Sequence, residues 1–334
     1  MSDKEKNNQS KLSLQEMLDA GMHYGHVTRK WNPKMAPYIF GKRNGIHIID
    51  LSKSLPLLLN ALKAVRDITS NYGRILFVGA KPQASELVKE AAIKCGQYYV
   101  NHRWYGGMLT NWKTISQSIK KMKVLEDKIA NPGDLTKKEI KLLQKDLDKL
   151  ELALGGIRNM GGRPDMLIVI DVNREDIAVK EAKKLGVPIV AVIDTDSDPD
   201  GIAFPIPGND DATKSIELYC KLFSDAVLEG LQLGLAKSGI DIGSSDKPLD
   251  MDMIDNVRKQ HKRNDINDKR GDGRTDRKSR NTKSRPNNRR RVQKTASVSA
   301  TELDENPSKR TSISEKSKQN LNSSTVKTSE GSNE

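Results

Sequence analysis

The sequence is poor in cysteine and has no long apolar run. Its two cysteines, Cys95 and Cys220, lie far apart and form no CxxC pair, which excludes a disulfide framework and a zinc ribbon and fits a reducing compartment. No stretch approaches the roughly 18 consecutive apolar residues of a membrane-spanning helix, and the polar residues 1–11 lack the apolar core of a secretory signal. We therefore expect a cytoplasmic protein with no membrane partner.

The motifs that identify many α/β enzymes are missing as well. The chain contains no GxGxxG, GxxxxGKS/T, GxSxG or HExxH sequence, which excludes a dinucleotide fingerprint, a phosphate loop, a nucleophile elbow and a zincin helix. Asp171 and Asp194 follow apolar runs, where the catalytic carboxylates of such enzymes would lie. Both are at least as well suited to capping the next helix or turn, so we predict that the protein is not an enzyme.

Positive charge is concentrated at the C-terminal end of the chain. The formal net charge is +13, and residues 247–334 hold 22 Lys and Arg against 13 Asp and Glu, which leaves +4 for residues 1–246. A basic balance indicates a polyanionic partner such as nucleic acid. Residues 237–334 combine charge with almost no large apolar side chains and cannot bury enough surface to fold, so they are predicted to form a disordered basic tail. Residues 1–11 are also predicted to be disordered.

Between these ends, apolar strands alternate with helical patterns. Strands are predicted at residues 75–78, 98–100, 166–170, 188–193 and 203–206. Uninterrupted apolar strands separated by helices are typical of a parallel sheet covered by helices on both faces. Upstream, residues 38–40 and 46–49 flank Asn44-Gly45 and predict an N-terminal β-hairpin. We predict one α/β RNA-binding domain that comprises residues 12–110 and 155–236.

Two consecutive helical stretches, residues 111–130 and 135–154, interrupt the alternation. Each carries apolar residues at intervals of three and four, and the turn NPGD separates them. Such stripes form coiled-coil seams, and a short turn between them indicates an antiparallel pair. Residues 111–154 are therefore predicted to form an inserted coiled-coil hairpin, about 30 Å long at 1.5 Å per residue.

Two clusters of the sequence mix basic and aromatic side chains. The segment NHRWYGGMLTNWKT, residues 101–114, holds two of the three tryptophans, and cations beside stacking surfaces are what RNA loops and backbones require. A turn whose aromatic side chains pack under the helical hairpin would explain the same residues. We expect the segment to serve both purposes, with its cations exposed to RNA and its tryptophans buried under the hairpin. The residues predicted to contact RNA in the two clusters are Arg29, Lys30, Lys34, Lys42, Arg43, His102, Arg103 and Lys113.

His23 and His26, in the sequence HYGH, have a spacing that could place two imidazoles on one metal ion. Ordinary loop histidines with satisfied hydrogen bonds explain the pair more simply. A tight acidic loop and a later acidic pair supply further candidate ligands, namely Asp194, Asp196, Asp198, Asp200, Asp210 and Asp211. A metal site that combines His26 with Asp194 and Asp211 is the second hypothesis.

Several long blocks of the chain resemble one known family, that of the second protein of the bacterial small ribosomal subunit. The blocks are MHYGHVTRKWNPKMAPYIFGKRNGIHIIDL at 22–51, ILFVGAK at 75–81, VNHRWYGGMLTNWKT at 100–114, GGRPDMLIVIDVNREDIAVKEAKKLGVP at 161–188 and DTDSDPDGIAFPIPGNDD at 194–211. The resemblance runs through residues 12–236 in the family's order. The basic tail departs from the family's pattern, because many members stop soon after the last helix.

The resemblance implies a flavodoxin-like α/β fold with a coiled-coil insertion and a structural role on the cytoplasmic ribosome. The implied partners are small-subunit rRNA near the head–body junction, neighbouring small-subunit proteins, and the mRNA-capturing protein S-one, which the family helps to anchor for translation initiation. No cofactor is required, although the family's metal pocket, for zinc or magnesium, matches His26, Asp194, Asp210 and Asp211. A nucleic-acid or chaperone-like adaptor acting outside the ribosome is the alternative reading.

Overall fold

The computed structural model describes residues 12–133 and 135–237. The N-terminal segment that is predicted to be disordered lies outside the described residues, as does the basic tail apart from its first residue. Among the helices of the described part, none has the length and apolar character needed to cross a membrane.

A small antiparallel sheet follows a short first helix, α1 (Leu14–Asp19). Its strands are β1 (Tyr24–Val27), β2 (Ile39–Arg43) and β3 (Ile46–Ile49), in the spatial order β1-β3-β2. The predicted hairpin corresponds to β2 and β3. The third strand, β1, is a finding, because its glycine and histidine hide the apolar alternation on which strand prediction depends.

Local sequence signals explain how these first elements begin and turn. The Ser13 hydroxyl accepts a hydrogen bond from the backbone N–H of Glu16, and the Glu16 carboxylate accepts one from the backbone N–H of Ser13. These two bonds form a capping box. Asn44 and Gly45 join β2 to β3 with φ angles of 51° and 76°. A tight two-residue hairpin turn requires positive φ at both positions, which asparagine and glycine adopt most readily.

Five parallel strands form the central sheet, and all five coincide with predicted strands. They are β4 (Ile75–Val78), β5 (Tyr98–Val100), β6 (Met166–Ile170), β7 (Ile189–Ile193) and β8 (Phe204–Pro207). Their spatial order is β5-β4-β6-β7-β8. This order places the second strand at one edge and the first beside the third, which is the flavodoxin-like arrangement. The predicted fold class is confirmed.

Six longer helices follow α1 in the described part of the chain, and the two of the helical pair lie near their predicted positions. The six are α2 (Leu51–Ser70), α3 (Pro82–Lys94), α4 (Trp112–Ala130), α5 (Lys137–Leu154), α6 (Asp176–Leu185) and α7 (Thr213–Lys237). A capping box between Thr136 and Glu139 opens α5. Gly186 ends α6 with a φ of 68°, in the left-handed region that glycine adopts at helix C-termini.

Two apolar layers pack on opposite faces of the central sheet, because successive side chains of a strand point to opposite faces. In β4, Ile75 and Phe77 join the layer that α2, α3 and α7 cover, whereas Leu76 and Val78 join the layer formed with α6 and the base of the α4–α5 pair. All four side chains are buried. Burial on both faces explains why these strands are apolar without interruption.

Helices α4 and α5 pack against each other as an antiparallel pair. Ile119 and Leu154 are buried in the second apolar layer and anchor the pair to the sheet. Farther along, Val124, Leu142 and Leu152 expose half or more of their side chains. That residues 111–154 form a separate unit beside the α/β domain stays a prediction.

Candidate functional site

Polar side chains converge at the carboxyl edge of the central sheet, where four of its strands end. Lys81 follows β4, Asp171 follows β6, Asp194 follows β7 and Asp210 follows β8. Ligands of sheets with this strand order bind at this edge. His26 joins these residues from β1 of the small sheet, and together they form the edge cluster, which also includes Asp196 and Asp211.

Gly25 allows β1 to approach the loop after β7 closely. A Cβ atom at this position would lie 2.9 Å from Thr195 Oγ1 and 3.2 Å from Asp194 Oδ1, closer than side chains normally pack. The Thr195 hydroxyl accepts a hydrogen bond of 2.9 Å from the backbone N–H of His26. The small sheet is thereby held against the carboxyl edge of the large one.

His26 lies between three carboxylates of the edge cluster. Its Nδ1 atom is 2.9 Å from Asp194 Oδ2, and its Nε2 atom is 3.4 Å from Asp211 Oδ2 and 3.7 Å from Asp196 Oδ2. The contact with Asp194 outweighs the effect of burial and raises the pKa of His26 to about 9. With these partners and no bound metal, His26 is a cation at neutral pH, and a metal ion would have to displace its proton.

Lys81 belongs to the edge cluster without having been predicted. Its ammonium donates a 2.8 Å hydrogen bond to Asp210 Oδ1, pairs with Asp211 and lies 3.4 Å from Asp171 Oδ2. Burial disfavours the charged form, but the carboxylates outweigh it and raise the pKa of Lys81. Burial, and after it the charges of Asp194 and Asp171, raise the pKa of Asp210 to about 7. The only feature of the sequence that could have indicated this role of Lys81 is its position just after a buried strand.

Two overlapping groups of donor atoms fit a bound cation. One consists of His26, Asp194 and Asp196, and the other of Asp194 with Asp210 and Asp211; within each group the ligand atoms lie within 4.8 Å of one another. Imidazole nitrogen combined with carboxylate oxygen is a donor set that zinc accepts. Each group already has a cation, but His26 can release its proton and bind a metal ion through nitrogen, whereas the Lys81 ammonium beside the second group stays charged, so the first group fits a metal better. The four ligands that the family resemblance implies thus lie together, and Asp196 joins them from the acidic loop.

A second site is built around the carboxylate of Glu181, on α6. Glu181 Oε1 accepts hydrogen bonds from the backbone N–H of Gly107 at 2.6 Å and from Trp104 Nε1 at 3.3 Å. Glu181 Oε2 accepts from the backbone N–H groups of Leu109 and Thr110, each at 2.9 Å, and from the Thr110 hydroxyl at 3.0 Å. One buried side chain therefore fixes the course of residues 104–110, and no sequence motif had indicated it.

The basic residues of this loop point outward, as predicted. His102, Arg103 and Lys113 are exposed, whereas Trp104 is buried and Trp112 is half-buried. None of these three side chains forms an ion pair with a carboxylate in the part of the chain that the structure describes. They are therefore available to a ligand outside the protein.

The upstream basic residues lie in and beside the small sheet. Arg29 and Lys30 are exposed in a single 3-10 turn after β1, and Lys42 and Arg43 are exposed near the end of β2. Lys34 differs from them, because its ammonium contacts Asp198 Oδ2 at 2.8 Å and Asp200 Oδ2 at 2.6 Å. The structure thus places the predicted RNA-contacting residues in two groups, on the small sheet and around the Glu181 loop.

Comparison with known proteins gives consistent matches over this whole region. The sequence profile of the family described as Ribosomal protein S2 matches residues 17–230. The small ribosomal subunit protein uS2 of Rhodospirillum centenum is 56% identical over 238 residues, which cover 71% of this chain and 91% of that protein. The uS2 protein of Acidiphilium cryptum is 53% identical over 251 residues, or 75% and 98% of the two chains. Both sheets, the α4–α5 pair and the edge cluster fall within the profile match.

Proposed function

The chain belongs to the ribosomal protein S2 family, and from that premise we propose that it binds small-subunit rRNA near the head–body junction, on the cytoplasmic ribosome. Family membership confirms the resemblance seen in the sequence and makes the chain a structural, non-enzymatic component of the small ribosomal subunit. In related architectures, substrates bind at the carboxyl edge of the sheet. In this chain the same edge holds an internal ion-pair network.

The RNA-binding proposal rests on one observation, that exposed cations flank a loop whose backbone is held in place. His102 and Arg103 precede, and Lys113 follows, the loop that five hydrogen bonds hold to Glu181. A preorganised loop loses little conformational entropy on binding. Contacts of such cations with phosphates position a protein on RNA and carry little base specificity.

Sedimentation with the small subunit tests this proposal. Tagged full-length chain is expressed in a bacterial host, and its distribution on a density gradient is measured before and after a moderate salt wash. We expect the wild-type chain to stay with the small subunit and the variant Arg103→Glu/Lys113→Glu to be released by the wash. Lys63→Glu is the matched control, because it reverses an exposed charge on α2. Equal retention of all three chains would contradict the proposal.

The proposal includes a single divalent ion, zinc or magnesium, at the edge cluster. His26, Asp194 and Asp196 would hold it, with Asp211 within reach, and the ion would tie β1 to the loop after β7. Its contribution would be to stability, because a metal that binds only the folded chain stabilises that chain. We expect zinc or magnesium, added separately, to raise the Tm of the wild type and of His23→Ala, but not of His26→Ala. No rise for any chain would exclude the ion.

The proposal also includes neighbouring proteins, among them S-one, and here the family resemblance is the support. The contact is expected near the edge cluster. Small subunits purified with His26→Ala in place of the wild type should then retain less S-one, measured by quantitative mass spectrometry. Subunits with His23→Ala provide the control. Full retention of S-one in both preparations would remove this part of the proposal.

A further inference from the structure

The amino-terminal edge of the central sheet lies opposite the edge cluster and carries unpaired positive charge. Arg74 directly precedes β4, and a turn formed by residues 159–164 leads into β6. The two strands are neighbours in the sheet, and the backbone N–H of Asp165 donates a 2.8 Å hydrogen bond to the carbonyl oxygen of Arg74. Arg74 and the turn therefore lie side by side. We call residues 159–164 the amino-edge turn.

Contacts at both ends hold the amino-edge turn in place. Ile157 and Met160 are fully buried in the second apolar layer, and the N–H of Met160 donates to the carbonyl oxygen of Ile157 at 3.1 Å. After the turn, Asp165 Oδ2 accepts a 2.7 Å hydrogen bond from the backbone N–H of Arg74. Gly161 has a φ of 66°, a left-handed conformation that glycine adopts at little cost. A turn that is fixed in this way loses little entropy when it binds a ligand.

Three consecutive backbone N–H groups of this turn have no acceptor. Those of Gly161, Gly162 and Arg163 donate no hydrogen bond to any group among residues 12–133 and 135–237. Water or a ligand can reach all three residues, because none of them is buried. Successive free N–H groups in a turn form a concave surface that binds anions.

The guanidinium of Arg74 lies against the same turn. A Cβ atom at Gly162 would lie 3.0 Å from Arg74 Nη1, so the guanidinium can approach because position 162 has no side chain. Arg74 Nε is buried, and within the described part of the chain it has no hydrogen-bond partner. Buried donors in native proteins are almost always paired, so an unpaired one indicates an acceptor supplied by another molecule.

The charge of the turn is not balanced by carboxylates. Arg163 is exposed, and neither it nor Arg74 forms an ion pair with another described residue. Arg158, just before the turn, differs from both, because it pairs with Glu126 and Glu151. Two unpaired guanidinium groups beside three free N–H groups offer hydrogen-bond donors and positive charge, which suits an oxyanion.

A phosphate of RNA fits this site better than an acidic segment of a protein. Protein interfaces are anchored by large apolar side chains near their centre. Residues 60–92 and 153–176, which flank Arg74 and the turn in the sequence, expose no large apolar side chain. Contacts with an RNA backbone need only cations and hydrogen-bond donors.

We propose that Arg74 and the amino-edge turn bind a backbone phosphate of the small-subunit RNA. The N–H groups of Gly161, Gly162 and Arg163 donate to the phosphate oxygens, and the two guanidinium groups balance their charge. This inference rests on the proposed function and adds a contact at an edge of the fold that holds neither the basic residues of the small sheet nor those around the Glu181 loop. Such a contact positions the protein and reads no base.

The salt dependence of RNA binding tests the site. Full-length protein is titrated against purified small-subunit rRNA by filter binding at a series of salt concentrations. We expect Arg163→Gln to weaken binding several-fold and to lower the slope of log affinity against log salt by about one. Gly162→Ala displaces the Arg74 guanidinium without changing the net charge and should weaken binding too. Lys63→Gln, which removes an exposed charge on α2, is the control.

Directed cleavage shows whether RNA lies at the turn. Cys95 and Cys220 are buried, so Asn159→Cys, at an exposed position, allows iron(II)-EDTA to be attached beside the turn alone. In assembled small subunits, hydroxyl radicals from this probe should cut the rRNA backbone, whereas wild-type subunits treated in the same way should stay intact.

The inference is wrong if no rRNA is cut from position 159, or if Arg163→Gln has the same affinity and slope as Lys63→Gln. It is also wrong if inorganic phosphate raises the Tm of the wild type but not of Arg163→Gln while the two chains bind rRNA equally, because the site then holds the free ion. A wild-type chain that fails to bind rRNA at all would instead refute the proposed function.

Discussion

The carboxylate of Glu181 accepts a hydrogen bond from the indole nitrogen of Trp104 at 3.3 Å, across 77 residues of sequence. The same carboxylate accepts hydrogen bonds from the backbone N–H groups of Gly107, Leu109 and Thr110. The contact therefore belongs to a network that fastens the loop to α6. Because Trp104 and Leu109 are buried with it, removal of the carboxylate leaves buried donors without a partner.

The first prediction concerns the stability that this network provides. Glu181→Gln keeps the shape of the side chain but removes the charge and half of its acceptor capacity. We expect the free energy of unfolding to fall by about 2–4 kcal/mol, the range for breaking a buried charged network. Urea unfolding followed by circular dichroism measures it. Glu86→Gln, at an exposed position, is the control and should change the value by under about 0.5 kcal/mol.

The second prediction concerns the pH dependence of the same residue. Burial alone would raise the pKa of Glu181, but hydrogen bonds from Thr110, Gly107 and Leu109 outweigh it and hold the pKa below its ordinary value of 4.5. A group whose pKa is lower in the folded state stabilises the fold above its unfolded pKa, and the gain is lost as the pH falls through the folded pKa. The stability difference between wild type and Glu181→Gln should thus shrink below pH 4.5. A constant difference down to acid unfolding would contradict this assignment.

The third prediction separates charge balance from packing at Lys81. Lys81→Met keeps the length of the side chain but leaves Asp210 without its counter-charge, and should cost about 3–5 kcal/mol of unfolding free energy. Asp210→Asn in the same chain should recover part of the loss, since it removes the uncompensated carboxylate. A double-mutant cycle that includes Asp210→Asn alone measures the coupling. Additive losses would show that the two groups act independently.

The fourth prediction concerns the contact between α2 and α7. A Cβ atom at Gly230 would lie 2.7 Å from the carbonyl oxygen of Arg66 and 3.0 Å from Thr69 Cβ, so the helices can approach only because α7 has glycine there. Gly230→Ala should cost about 1–3 kcal/mol through overpacking, visible as a lower Tm. Gly41→Ala adds the same methyl group where nothing lies within 4 Å and is the control. An unchanged Tm for Gly230→Ala would mean that the helices separate at no cost.

The fifth prediction concerns the basic tail, which lies outside the described residues and whose charge is known from the sequence. If its cations contact RNA phosphates, they release counterions on binding. A chain truncated after Gly243 should then bind small-subunit rRNA more weakly, and its affinity should fall less steeply as salt is raised. Filter binding over a series of salt concentrations measures both. Unchanged affinity and slope would show that the tail makes no phosphate contact.

The sequence predicted those features that depend on neighbours within a few residues. The strands β4 and β6 are apolar throughout, and Asn44-Gly45 forms a turn, because each follows from local geometry. The exposed state of Arg103 was also predictable, since a charged side chain seldom loses its water without a partner.

Contacts that join distant parts of the chain were not predictable in this way. Lys81 and Asp210 are 129 residues apart in the sequence. Glu181 looks like any other charged residue of an amphipathic helix, because its role depends on a loop that is distant in the sequence. Strand β1 forms only because β3 offers it an edge. For the metal ligands, the family resemblance indicated which aspartates gather around His26, whereas the sequence pattern left a plain loop histidine as the simpler choice.

The edge cluster has a consequence for how the protein meets an RNA surface. Five carboxylates, those of Asp171, Asp194, Asp196, Asp210 and Asp211, gather there around only two cations, His26 and Lys81. In many proteins of this architecture the same crevice attracts phosphate, but here its excess of negative charge repels it. If the exposed cations bind RNA as proposed, the fold has a face that repels RNA as well as faces that attract it. Such repulsion disfavours docking in a wrong orientation and leaves that crevice free for cations or for protein neighbours.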